Sequence, residues 1–217
     1  MRVSGQNDAG GQTSGRIHSN PGARLLDAAR DLFYEQGYAT AGINEINARS
    51  GTSKKSIYNY FPSKQKRGEA YLGREQAELF DFLDALMRRH RDDYRAFVRA
   101  WAYALKKAAG RDGYFGCPFA NTAAQTGSQF SEILAAIARE LRDKLRHYLR
   151  ECDLKYSPKK ADAFAEQMLM QYQGAVQMWR LSGDLHFFDL MEETLNGLAA
   201  TEPLGRKRGA RASRRKT

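Results

Sequence analysis

Cysteine is almost absent from this chain of 217 residues: Cys117 and Cys152 are the only two, too few for a disulfide scaffold and in keeping with a reducing cytosol. No apolar run approaches the length of roughly 20 residues that a membrane-spanning helix needs. The first residues also lack the hydrophobic stretch of a signal peptide, so the reading is a soluble, cytoplasmic protein. Strand-like alternation is missing throughout, and no internal repeat is present. The signatures of catalysis are missing as well. His18, His90, His147 and His186 stand apart with no metal-ligand spacing, and there is no Gly-rich phosphate loop, Ser-centred elbow or Cys-x-x-Cys pair. The sequence therefore predicts no enzyme, no cofactor and no metal.

Positive charge is in surplus. Lys and Arg number 35 against 25 Asp and Glu, a formal net charge of +10, which favours an anionic partner such as nucleic acid. Much of the excess sits at the C-terminal end, where Arg206, Lys207, Arg208, Arg211, Arg214, Arg215 and Lys216 face only Glu202. A second concentration lies within residues 44–67, where Arg49, Lys54, Lys55, Lys64, Lys66 and Arg67 are opposed by Glu45 alone. Residues 1–22 are rich in Gly, Ser, Gln and Asn and read as a flexible arm, and residues 201–217 read as a basic, disordered tail.

Between these ends the apolar spacing is helical. Asn20 can cap a helix that starts near Pro21, carries Leu25, Ala29, Leu32 and Phe33 on one face and stops near Gly37. Ile43 and Ile46 mark a short helix from Gly42 to Ser50, broken by Gly51. Ser53 caps a third, Lys54–Tyr60, which Pro62 prevents from continuing. From Ser63 the helices become long: one to about Arg89 with Tyr71, Leu79, Leu83 and Leu86 inward, then one marked by Tyr94, Val98, Trp101 and Leu105. Residues 110–118 read as a loop and Phe119–Thr126 as a short helix. Ser128–Cys152 carries Ile133, Ile137, Leu141, Leu145 and Leu149. A helix bracketed by Pro158 and Gly183 follows, and a last one, Leu185–Ala200, carries Phe188, Met191, Leu195 and Leu198. The predicted fold is all-α: a three-helix head at 23–70 and a helical body of about six helices at 71–200.

Residues 24–72 contain Ala28-Ala29, Leu32-Phe33, Gly37-Tyr38, Thr40, Ile43, Ile46, Gly51, Ser53-Lys54, Ile57-Tyr58 and Phe61-Pro62-Ser63-Lys64 at fixed spacing. In these positions the segment resembles the tetracycline-repressor (TetR) family of bacterial regulators. Departures are Asn47, Ser50 and Thr52, where the family usually has small apolar or aliphatic residues, so a looser or hydrated head is expected. The resemblance implies a helix-turn-helix whose second helix enters the DNA major groove. It makes Lys54, Lys55, Ser56 and Tyr58 the candidates for base contacts, with Thr40, Ser53, Tyr60 and Lys64 placed for phosphates. The partners implied are a palindromic double-stranded operator, a small-molecule effector and a second copy of the chain. Val176, Trp179, Phe187, Met191 and Leu195 would lie in the homodimer interface. Trp101, Tyr114, Phe119, Asn121, Gln125, Tyr172, Gln173 and Trp179 are aromatics and amides that could line an effector pocket, or that could simply pack the core.

Two other readings stand beside a repressor released by its effector. A ligand-independent architectural DNA-binding protein would use the basic tail, but gains nothing from an aromatic-rich body. A thiol-based redox or electrophile sensor would use Cys117, in a Gly116-Cys117-Pro118-Phe119-Ala120-Asn121 stretch that looks like a Gly-Cys-x-x-x-Asn element from one branch of the family. There a helix N-terminus could favour a thiolate. The alternative for Cys117 is a small buried residue.

Overall fold

The computed structural model describes residues 20–200. The N-terminal arm up to residue 19, His18 included, and the basic tail 201–217 lie outside the described residues, as do the expectations attached to them. Every regular element among the described residues is a helix: α1 (Pro21–Glu35), α2 (Ile43–Ser50), α3 (Lys54–Tyr60), α4 (Lys64–Arg89), α5 (Tyr94–Ala109), α6 (Pro118–Thr126), α7 (Ser131–Glu151), α8 (Pro158–Ser182) and α9 (His186–Ala200). No helix among the described residues is long and apolar enough to cross a membrane.

The first three helices are short, and local chemistry fixes their ends. The Asn20 side chain accepts from the Gly22 N–H at 2.9 Å, with Pro21 at the first helical position. Gly51 closes α2 in the left-handed region (φ 64°), which a residue with a Cβ rarely adopts. Ser53 Oγ accepts from the Ser56 N–H at 3.2 Å and starts α3, and Phe61, ahead of Pro62, ends it in extended backbone. The departures at α2 satisfy one another: Ser50 and Thr52 hydroxyls lie 2.7 Å apart, and Ser50 Oγ donates to the Asn47 carbonyl at 3.3 Å. Asn47 Oδ1 is buried without a hydrogen-bond partner.

Two cores result. One gathers Leu25, Leu32, Phe33, Ile46 and Ile57 from the head with Tyr71 and Leu72 of α4, and also takes in Phe130 and Ile137 from the body. The other lies among α4, α5, α7, α8 and α9 and holds Leu83, Phe97, Trp101, Leu145, Met168, Val176 and Phe188. At about 39 Å for 26 residues, α4 is long enough to serve both. Leu83 is sealed, whereas Leu79 and Leu86 pack at the core margin.

One helix start differs from the sequence reading by more than a residue. The long helix begins at Ser131 rather than Ser128, because residues 127–130 form a turn: Gly127 has φ 55° and the Ser131 N–H donates to the Ser128 carbonyl at 3.2 Å. The turn drives Phe130 into the head core, where its ring meets Tyr38 edge-on at 5.1 Å. Gly68 allows that approach. A Cβ there would sit 2.5 Å from Phe130 and 2.8 Å from Tyr38.

Candidate functional site

The α2–Gly51–α3 unit presents one polar face. Ile57, fully buried, pins α3 to the head core, and Lys54, Lys55, Tyr58 and Asn59 on the remaining surface are exposed, Tyr58 at 56%. Ser56 is half-buried, and Thr40, in the turn before α2, is exposed on the head. The other sequence candidates already have partners. Ser53 caps α3, Tyr60 donates its hydroxyl to Asn20 Oδ1 at 3.0 Å, and Lys64 Nζ donates to the Ala39 carbonyl at 2.8 Å while standing 5.1 Å over the Tyr38 ring. Burial lowers the Lys64 pKa.

Arg67 carried no expected role. It is a buried cation one turn after Lys64; its Nη1 reaches the Phe61 carbonyl at 3.5 Å and its Nε has no hydrogen-bond partner. The i, i+3 spacing from Lys64 is the sequence signal that could have singled it out.

The body contains a cavity of 360 Å³ beside the head. Trp101 from α5, Tyr172 from α8, Phe119 from α6 and Tyr114 from the preceding loop form aromatic walls, and Trp101 and Tyr172 stack with centroids 5.4 Å apart. Glu75, Glu78, Leu79 and Phe82 come from α4, and Arg30 and Tyr34 come from α1, in the head itself. Arg30 binds Glu75 at 2.5 Å and Glu78 at 2.6 Å, and the neighbouring Arg74 binds Asp27 and Glu78. Burial raises the Glu75 pKa. The Tyr34 hydroxyl donates to the Gly116 carbonyl at 2.8 Å and accepts from the Phe115 N–H at 3.0 Å, and burial pushes its pKa up to about 12.

Half of the eight pocket candidates, Trp101, Tyr114, Phe119 and Tyr172, line this cavity. Trp179 packs behind Tyr114 at 5.2 Å. Gln173 Nε2 donates to Cys117 Sγ at 3.4 Å. Asn121 of α6 donates to the Phe115 carbonyl at 2.8 Å and so ties the preceding loop to that helix. Gln125 is elsewhere: its Oε1 accepts from the Tyr38 N–H at 2.8 Å, so it bridges body to head. The four charged or phenolic wall residues from α1 and α4 escaped sequence reading because helical periodicity separates buried from exposed faces but does not show which two faces enclose a space.

Three interface candidates need correcting. Val176, Met191 and Leu195 are at most 1% exposed within a single chain, because α8 and α9 turn that stripe onto α5 and α7; such side chains cannot meet a second copy. Trp179 and Phe187 are only partly buried. The exposed apolar residues of these two helices and the turn between them are Met170, Met178, Leu181, Leu185 and Leu190, Leu181 being 81% exposed. Cys117 is buried. No cluster of metal-ligating side chains occurs among the described residues.

A wider groove of 1000 Å³ runs between α4 and α7, but the Lys144–Asp84 ion pair (2.7 Å) crosses it and its rim mixes Arg88, Arg91 and His147 with Glu140, Asp143 and Glu151. It offers no single ligand chemistry.

A three-helix head with a polar third helix, continuous through α4 with a helical body, has the arrangement of a helix-turn-helix protein. Residues 25–66 match the family model "Bacterial regulatory proteins, tetR family". An uncharacterized HTH-type transcriptional regulator of Mycobacterium tuberculosis is 41% identical over 56 residues, which is 26% of this chain and 28% of that relative's length. The backbone resembles a TetR transcriptional regulator from Legionella pneumophila, with TM-score 0.73, 18% identity and coverage of 84% of this chain and 98% of that one. It also resembles a TetR-family transcriptional regulator from Streptomyces coelicolor, with TM-score 0.68, 21% identity and coverage of 83% and 95%. Residues 25–66 therefore match the helix-turn-helix segment of the TetR family of transcriptional regulators, and the backbone of the described residues has the fold of the TetR-family proteins above.

Proposed function

We propose that two copies of this chain bind a two-fold-symmetric operator through α3 of each head, and that a small molecule entering the 360 Å³ cavity lowers that affinity, so that the protein is a repressor released by its effector. The observation that carries this reading is the composition of the cavity wall. Arg30 and Tyr34 belong to α1 of the head, so a ligand there touches the element on which α2 and α3 are packed. A coupling of this kind needs a ligand that distinguishes two head positions. In this reading residues 23–70 read DNA, and residues 71–200 sense the effector and dimerise.

Lys54, Lys55, Ser56 and Tyr58 make the base contacts, and Thr40, Ser53, Tyr60 and Lys64 hold phosphates, with Tyr60 and Lys64 first leaving their present partners. Dimerisation places the heads about 34–36 Å apart or a multiple of that, one major groove per turn. Exposure of Met170, Met178, Leu181, Leu185 and Leu190 supports α8 and α9 as the contact surface. Sedimentation of the wild type and Leu181→Glu, with footprinting on DNA selected from random sequence, tests the reading. A dimer that the substitution weakens, protecting a palindrome, is expected; a monomer at micromolar concentration, or protection without a discrete site, sinks it.

A further inference from the structure

The cavity also indicates which effectors it accepts. Its charged wall residues are Arg30, Glu75 and Glu78, which leaves one carboxylate in excess, and Arg74 beside them is engaged by Asp27 as well as Glu78. The remaining wall is mostly aromatic and aliphatic, with Trp101 and Tyr172 stacked at an interplanar angle of 25°. Aromatic faces carry negative potential and attract cations. The same faces, next to a surplus carboxylate, repel an anion. At 360 Å³ the space suits a compact drug-sized molecule.

We propose that the pocket takes a planar organic cation, stacked among Trp101, Tyr114 and Tyr172, that competes with Arg30 for the Glu75 and Glu78 carboxylates and so loosens one of the two ion-pair ties of α1 to α4, leaving Asp27–Arg74. The inference rests on the effector reading above and specifies its ligand. Arg30 is the head's own cation in that position, reaching Glu75 at 2.5 Å and Glu78 at 2.6 Å. The Glu78 side chain is about half exposed and that of Glu75 is more buried, so an entering cation meets Glu78 first. Once Arg30 is displaced, the Asp27–Arg74 ion pair and the Tyr34 hydroxyl with its two loop partners are the remaining polar ties between α1 and this side of the body.

The test uses one ring system in three charge states: N-methylacridinium, acridine and acridine-9-carboxylate, at pH 7.5 without DNA. Binding is read by calorimetry and by quenching of Trp101 in a Trp179→Phe background. The cation is expected to bind at least tenfold tighter than the neutral ring, with the anion weakest. Glu78→Gln should remove that preference by weakening the cation alone. Arg30→Met should strengthen the cation several-fold and leave the neutral ring unchanged, a gain that a merely structural Arg30 would not produce. If Arg30→Met unfolds, Arg30→Lys, which keeps the charge but loses the two-pronged grip, should show a smaller gain. Amide exchange in α1 should speed up with the cation and not with acridine. Equal or tighter binding of acridine or its carboxylate, still quenching Trp101, overturns the cation class and leaves the effector pocket standing. Failure of all three to bind overturns the pocket as an aromatic ligand site.

Discussion

In the head, α3 spans seven residues and buries one side chain, Ile57, whereas α8 in the body spans 25 residues and buries seven. Helices as short as α2 and α3 cannot hold themselves in water, so the head uses specific residues at four helix ends: Asn20, Gly51, Ser53 and Ser63. The body needs little more than an apolar stripe at the right period, and many sequences provide one. On the proposed function, a DNA-reading head requires each side chain at a set place, and a sensing body requires only that its walls leave a space. The two parts are not independent, however. Phe130 and Ile137 complete the head core from the body side, and Gln125 and Gln129 hold Tyr38 by its N–H and its hydroxyl, at 2.8 and 2.9 Å.

The largest test of that shared construction is Phe130→Ala. The ring is 1% exposed and sits between Tyr38 and Gly68, so its loss should cost about 3–5 kcal/mol. Because the ring belongs to the head core but stems from the body, urea unfolding followed by far-UV circular dichroism should lose stability in one concerted transition. A body that keeps its midpoint while the head melts separately would show the two regions to be autonomous.

Next in size are Lys55→Ala and Tyr58→Ala, which probe the head's surface without touching its core. Each should weaken specific DNA binding by about 1–3 kcal/mol and leave the melting temperature unchanged, since both side chains are exposed. Competition gel shifts with selected and random DNA decide the role. Equal losses on both would reduce these residues to phosphate grip.

The difference between head and body also explains what was legible beforehand. Caps and breakers are chemical signals at single positions, so α1, α2 and α3 were readable nearly to the residue, and the exposed face of α3 followed from Ile57. The body's stripes gave the helices but not their neighbours. Trp101 and Tyr172 were recognisable as pocket material by type, while Arg30, Tyr34, Glu75 and Glu78 looked like surface charges and a head residue until α1 and α4 were brought together. Val176, Met191 and Leu195 were assigned to a second copy because one apolar stripe looks the same whether its partner is its own chain or another. Gln125, an amide beside candidate pocket residues, gave no hint that its partner was the Tyr38 N–H, 87 residues earlier.

That last contact gives a smaller perturbation. Gln125→Ala deprives the buried Tyr38 N–H of its acceptor, a loss of about 1–3 kcal/mol when the group stays dry. Gln125 is itself exposed, so water can take its place and the low end, about 1 kcal/mol, is expected. Faster amide exchange confined to residues 36–41 would mark the joint; an unchanged rate there would mean that Gln129 and Phe130 hold it without Gln125.

The smallest effect isolates the body. Cys152 is fully buried at the end of α7, where burial pushes its thiol up to about 11. A raised pKa means that the folded state holds the proton more tightly than the unfolded chain does, so the contribution is complete below the ordinary thiol range and is lost as pH rises through the folded value. At neutral pH, wild type and Cys152→Ala should therefore differ only by the packing of one sulfur. Between about pH 9 and 11 the wild type should lose stability relative to the variant, and the comparison cancels the tyrosines that do not face Cys152; Tyr94 and Tyr148 do face it. Chemical denaturation at matched pH values measures this directly. A difference that does not change with pH would mean that the thiol ionises alike in both states, which burial in the body core forbids. If the loss appears, hydrogen exchange in α1 and α3 then tells whether a charge forced on the far end of α7 reaches the head through Phe130, at the near end of the same helix.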